Sequence, residues 1–217
     1  MKKQKFWRAA ALACAIFAVP AFAEDDDFDF APDGEQAKSA GTEKSSVSVS
    51  LEGAYAKSLK KPARGGVDMA GFDLRLNFDV NERNQFSLGM LVLGGSENVG
   101  GNTDLDTTNV AVFAGYRAVF PIVKNRVNAY LGARVGLVYA SAELDEGRFD
   151  GWDNYRSDDD TCAAYAVEVG LSYAFTEKWS VRGGYEYYGN TTRIGGGDTK
   201  FYDQQYHLFQ LGAEYRF

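Results

Sequence analysis

Few side chains in this sequence have the chemistry of a catalyst. Its 217 residues include one histidine, His207, and two cysteines, Cys14 and Cys162. A histidine acts as a general base only with a nucleophile or an acidic proton in reach. On an extended strand the same-face neighbours of His207 are Gln205 and Phe209, and neither is a nucleophile. His207 is therefore read as a polar residue at an interface. One histidine and one thiol do not complete a zinc site. "GGSENVGG" and "RIGGGD" are glycine-rich but fit neither a P-loop nor a dinucleotide fingerprint. Asp158, Asp159 and Asp160 lack the spacing of a calcium loop. No catalytic residue, metal site or cofactor is assigned, and no enzymatic activity is expected.

What remains is a set of carboxylates and guanidinium groups at regular intervals. In "FDLRLNFDV", residues 72–80, apolar and polar residues alternate, which is the period of a strand with one dry face and one wet face. Similar runs cover 46–56, 85–94, 109–120, 127–140, 162–175, 179–189 and 205–217, eight strands in all. Pro32, Pro62 and Pro121 fall outside these runs, as hydrogen-bonded ladders require. The links 81–84, 121–126 and 176–178 are short, whereas those near 57–70, 95–108, 141–161 and 190–204 are long. Alternating short turns and long loops are the pattern of an outer-membrane barrel.

The polar faces carry Glu52, Asp73, Arg75, Asp79, Arg117, Arg134, Glu168, Arg182, Glu186, Glu214 and Arg216. These are six acids against five bases, separated by small residues such as Ser50, Gly115, Gly132 and Gly184. The inside of an eight-stranded barrel holds only side chains, and buried charges must pair. An interior charge network follows, with no wide channel. The apolar faces sort their aromatics by height. Phe78, Phe86, Phe120, Phe175, Trp179 and Tyr215 lie near the short turns. Tyr55, Phe72, Tyr139, Tyr165, Tyr185 and Tyr187 lie near the long loops. Two aromatic girdles around an aliphatic band match the two interfaces of a bilayer. A soluble barrel wrapped around a ligand has no reason for such sorting.

The fold class expected is all-β: an eight-stranded antiparallel transmembrane β-barrel with short periplasmic turns and long extracellular loops. Residues 1–23 have a basic start, a short apolar run and a small-residue site, "AFA", the layout of a cleaved signal peptide. Residues 24–44 are acidic and aperiodic, and are read as a flexible periplasmic leader. The barrel occupies residues 45–217. Cleavage takes away Lys2, Lys3, Lys5 and Arg8, leaving 19 of the 23 basic residues against 30 acidic ones, a net of −11. That charge argues against nucleic acid as a partner.

The ending "FQLGAEYRF", with Phe209, Leu211, Ala213, Tyr215 and Phe217 in alternation, looks like the C-terminal signal read by the outer-membrane barrel assembly machinery. With the signal peptide and eight strands, residues 45–217 resemble the small β-barrel superfamily that includes outer membrane protein A and the opacity proteins. The resemblance implies a Gram-negative outer-membrane protein in contact with lipid and lipopolysaccharide. The peptidoglycan-binding domain that follows the barrel in outer membrane protein A has no counterpart after Phe217, so no wall-anchoring role is expected. The expected role is envelope structure or surface interaction with a charge-plugged lumen. Two alternatives stay open: an adhesin binding a host or matrix ligand through its loops, or a narrow, low-conductance porin. The first long loop, "KSLKKPARGG", is basic, and the third holds Phe149, Trp152 and Tyr155, the residue types that dominate binding hot spots.

Overall fold

The computed structural model describes residues 46–60, 66–100, 103–123, 126–149, 152–194, 201–202 and 204–217. The expected signal peptide, residues 1–23, and the expected acidic leader, residues 24–44, lie outside the described residues, as do residues 61–65 of the first long loop. Ten strands are present among the described residues: β1 (Val47–Ser58), β2 (Met69–Asn81), β3 (Asn84–Gly100), β4 (Thr103–Val123), β5 (Val127–Phe149), β6 (Trp152–Ala174), β7 (Trp179–Asn190), β8 (Arg193–Ile194), β9 (Phe201–Tyr202) and β10 (Gln205–Arg216). Eight of them close into an antiparallel barrel in the order β1-β10-β7-β6-β5-β4-β3-β2, while β8 and β9 pair with each other. Closure comes from β1 and β10, in register from Ser48↔Arg216 to Ser58↔Tyr206. Every strand of the ring then has two neighbours, which removes the exposed edges of an open sheet.

Side chains stabilise the short turns. The Arg83 backbone N–H donates to Asn81 Oδ1 at 2.9 Å, an Asx turn. Thr176 Oγ1 accepts from the backbone N–H of Trp179 at 2.9 Å.

The barrel wall is uneven. Strands β1, β2, β7 and β10 have 12 or 13 residues, whereas β4 has 21 and β5 and β6 have 23 each. The β6–β7 ladder stops at Ala164↔Asn190, yet β5 and β6 stay paired out to Phe149↔Trp152. This corrects the expected loops at 95–108 and 141–161, most of which are strand. Outside the bilayer neither face needs to be apolar, so the alternation that reveals a strand is lost while backbone pairing continues. Pro121 is a second correction. It lies inside β4 opposite Asn128, beside a register shift between Pro121 and Val123. A strand end next to an irregularity tolerates the missing N–H.

The lumen has two tiers. Toward the short turns it is lined by buried charged and amide side chains. Toward the long loops it is mostly apolar, with Thr107, Asn109 and Asn190 also buried there. Met69, Leu91, Leu93, Leu105, Ala111, Phe113, Val138, Tyr188, Tyr206 and Leu208 are buried in one cluster. The sequence reading assigned only charged and small residues to the interior. Leu91 and Leu93 sit beside outward-facing Met90 and Val92, so the continuous apolar run hides which of them turn inward.

Candidate functional site: the charged lumen

Arg75 stands at the centre. It shares the inward face of β2 with Asp73, two residues away, as the strand period demands. Its Nη2 lies 2.8 Å from Asp73 Oδ2 and its Nη1 lies 2.6 Å from Glu168 Oε2 on β6. Nη2 also donates to Gln210 Oε1 on β10 at 2.8 Å and lies 3.5 Å from Glu186 Oε2 on β7. Arg134, from β5, reaches Asp73 and Glu186, each at 2.7 Å. Arg117, from β4, donates twice to Glu168, each at 3.0 Å, the fork geometry that makes arginine–carboxylate pairs strong. Its Nη1 donates to Gln85 at 2.8 Å. Charges from strands on opposite walls therefore meet on the barrel axis.

Below this group, Arg182 lies 3.4 Å from Glu214 and 3.8 Å from Glu52, and Ser48 donates to Glu214. Tyr130 joins the two groups. Its ring has the Arg117 guanidinium at 4.5 Å and that of Arg182 at 5.0 Å from the centroid, within the range of cation–π attraction. Tyr130 reaches across because β6 and β7 offer glycine there. A Cβ on Gly170 would collide with its ring and hydroxyl, and one on Gly184 with its hydroxyl. Gly132 has the same use, since a Cβ there would stand 2.7 Å from Glu168 Oε1. Arg134 marks the border with the apolar tier, its guanidinium 4.4 Å from the Phe113 ring centroid.

Nine residues of the expected network are buried: Glu52, Asp73, Arg75, Arg117, Arg134, Glu168, Arg182, Glu186 and Glu214. Asp79 and Arg216 are placed differently. They pair with each other at 3.4 Å at the short-turn rim, with side chains 21% and 54% exposed. The reason is their position at the strand ends, where the barrel opens to water. Glu52 is the least well served member. Both its carboxylate oxygens are buried without a hydrogen-bond donor among the described residues. The sequence reading did not include Gln85, Gln210 and Tyr130. All three have inward parity, and that parity was the available signal.

The outer surface is apolar. Leu51, Leu76, Leu88, Val112, Leu131, Val135, Val169, Leu171 and Leu211 are all exposed there. The aromatics expected in the girdles also point outward. Tyr55, Phe78, Phe86, Phe120, Tyr139, Tyr165 and Phe175 are exposed, and Phe72, Trp179, Tyr185, Tyr187 and Tyr215 are half-buried against neighbours. Trp179 and Tyr215 meet edge to face at 4.9 Å. Of the C-terminal residues, Phe209, Leu211 and Phe217 are exposed and Ala213 and Tyr215 half-buried.

A closed ring with charges inside and a continuous apolar skin outside is the inverse of a soluble protein. The profile of the outer membrane protein β-barrel domain matches residues 9–217. The chain belongs to this family. As an outer membrane β-barrel it resides in the outer membrane, with lipid against its apolar skin. Its fold is similar to that of Neisserial surface protein A, at 22% identity over 79% of this chain and 97% of that one, with a TM-score of 0.53. It is also similar to a major outer membrane protein of Thermus thermophilus, at 12% identity over 79% and 99% of the two chains, with a TM-score of 0.54. No curated protein matches it in sequence.

Proposed function

We propose that this outer membrane β-barrel is a closed, non-catalytic envelope protein whose lumen is shut by its own side chains. The observation that carries the reading is the Arg75 cluster, in which one guanidinium contacts Asp73, Glu168 and Glu186 from three strands. An eight-stranded ring has no room for both such a cluster and a wide water column. The mostly apolar tier above it supports the same reading, because the buried Leu91, Leu93, Phe113 and Val138 offer an ion little in exchange for its hydration. Planar-bilayer recording of the purified barrel tests it. The expected result is no large, stable conductance, and a steady open level of porin size would overturn it.

A surface-interaction role is favoured by a separate observation. Strands β3 to β6 continue as a sheet beyond the rim formed by β1, β2, β7 and β10. A paired sheet presents contact residues on a rigid support. Whole-cell binding to host cells or extracellular matrix should therefore fall when residues 141–161 and the first long loop are shortened together. Unchanged binding would leave the structural role alone.

A further inference from the structure

The outer mouth of the lumen is closed by other means than its floor. Asn109 is buried on the inward face of β4, and its Nδ2 donates to Oε1 of Gln204, also buried, at 3.4 Å. Gln204 directly precedes β10. In the ring β4 and β10 are four places apart, the full diameter of an eight-stranded barrel, so this bond crosses the mouth from wall to wall.

The chain that leaves β7 leans over the same opening. The β6–β7 ladder ends at Ala164↔Asn190, and the Thr191 backbone N–H adds a bond to the Ala163 carbonyl at 3.0 Å. Then β8 packs against β5 as well as β6. A segment that only prolonged β7 would stay beside β6, so contact with β5 means that it crosses toward the long wall. Thr192, on the way, is fully buried and lies beside Cys162 of β6. Cys162 in turn packs on the apolar cluster.

This cover is lightly held. At its base the Asn190 backbone N–H donates to the Gln204 carbonyl at 2.9 Å, with Gly189 opposite Gln205 just inside. The tie to β4 is a neutral hydrogen bond at the long end of the range. Asn109 Oδ1 is buried without a hydrogen-bond partner among the described residues, a cost that water removes once the cover lifts. The floor is built from buried ion pairs instead, with Arg134 at its upper border against Phe113. Latch and floor have no residue in common.

We infer that Asn190–Ile194 and Gln204 form a hinged cover over the apolar tier, pivoting at the Asn190–Gln204 pair and latched by Asn109, which opens toward the outside while the Arg75 cluster stays shut. The inference goes beyond the closed-barrel reading, since it concerns access to the tier above the floor.

Cys162 reports the movement, because it lies under the cover. In a Cys14→Ser background it is the one cysteine of the full chain. The barrel is folded into lipid vesicles and its thiol is labelled from outside with a bulky maleimide polymer. Labelling of the otherwise native barrel should be slow compared with the urea-unfolded chain. Asn109→Ala and Gln204→Ala should each speed it about fivefold, the effect of one lost hydrogen bond on a local opening. Lys178→Gln, at a short turn, should label at the native rate. Below the unfolding transition the rate should hardly change with urea, since a local opening exposes little surface. Native-rate labelling of folded Asn109→Ala and Gln204→Ala overturns the latch. Labelling of the native barrel as fast as that of the unfolded chain overturns the cover, and so does a rate that climbs with urea as steeply as global unfolding. Bilayer recording reads the floor and thiol labelling reads the mouth, so the closed barrel and the cover can fail separately.

Discussion

Replacing Arg75 with leucine is expected to destabilise the folded barrel by about 3–5 kcal/mol, the usual cost of breaking a buried ion pair from one side. The argument lies in what is left behind. Arg75 contacts Asp73, Glu168 and Glu186 and donates to Gln210. Leucine leaves three buried carboxylates to share Arg117 and Arg134, which already serve them. The loss should be far larger than that for Arg216→Leu, because the Arg216–Asp79 pair sits at the rim with the arginine side chain 54% exposed, where exposed pairs contribute at most ~1 kcal/mol. Urea unfolding in lipid vesicles, followed by tryptophan fluorescence, measures both. Equal losses for the two arginines would mean that burial does not set the energetics of the network. The double substitution Arg75→Leu, Glu186→Leu should recover part of the loss, since it leaves two buried acids with two arginines, Glu168 with Arg117 and Asp73 with Arg134.

Leu76→Arg should cost about 2–4 kcal/mol, the range for a cation on the lipid face near the bilayer midplane. Leu76 is 45% exposed on the apolar skin and lies between Phe72 and Phe78, the two interface aromatics of β2. Its alternate neighbour Arg75 is fully buried. Two adjacent positions of one strand should therefore respond in opposite ways, with arginine required at 75 and costly at 76. The same unfolding experiment reads the effect, and near-native stability of Leu76→Arg in bilayers would contradict the placement of this face against lipid. Moving the same substitution to Phe78, nearer the interface, should reduce the penalty, because an arginine there reaches the headgroups.

How much of this was legible in the sequence varies by residue. The alternation in residues 72–80 was enough to separate Arg75 from Leu76, because a strand's two faces are set by a period of two and nothing else. The aromatics at the ends of the same runs pointed to a bilayer. The extension of β5 to Phe149 and of β6 back to Trp152 was not legible, since in water both faces of a strand tolerate polar residues. Nor was the apolar tier. Leu91, Leu93 and Val138 are lumen-facing residues in runs where inward and outward positions are equally apolar, so no local contrast marks them.

By itself the sequence determined that the chain forms strands, that eight of them suffice for a barrel, and which face of most strands carries charge. Those are local properties, written within ten residues of each other. Only the tertiary structure decided which acid each arginine meets. Arg75 reaches Glu168, 93 positions along the chain, and Lys57 faces His207 because β1 and β10 close the ring. Such pairings depend on strand register and closure around the whole circumference, and a period of two is the same in every register.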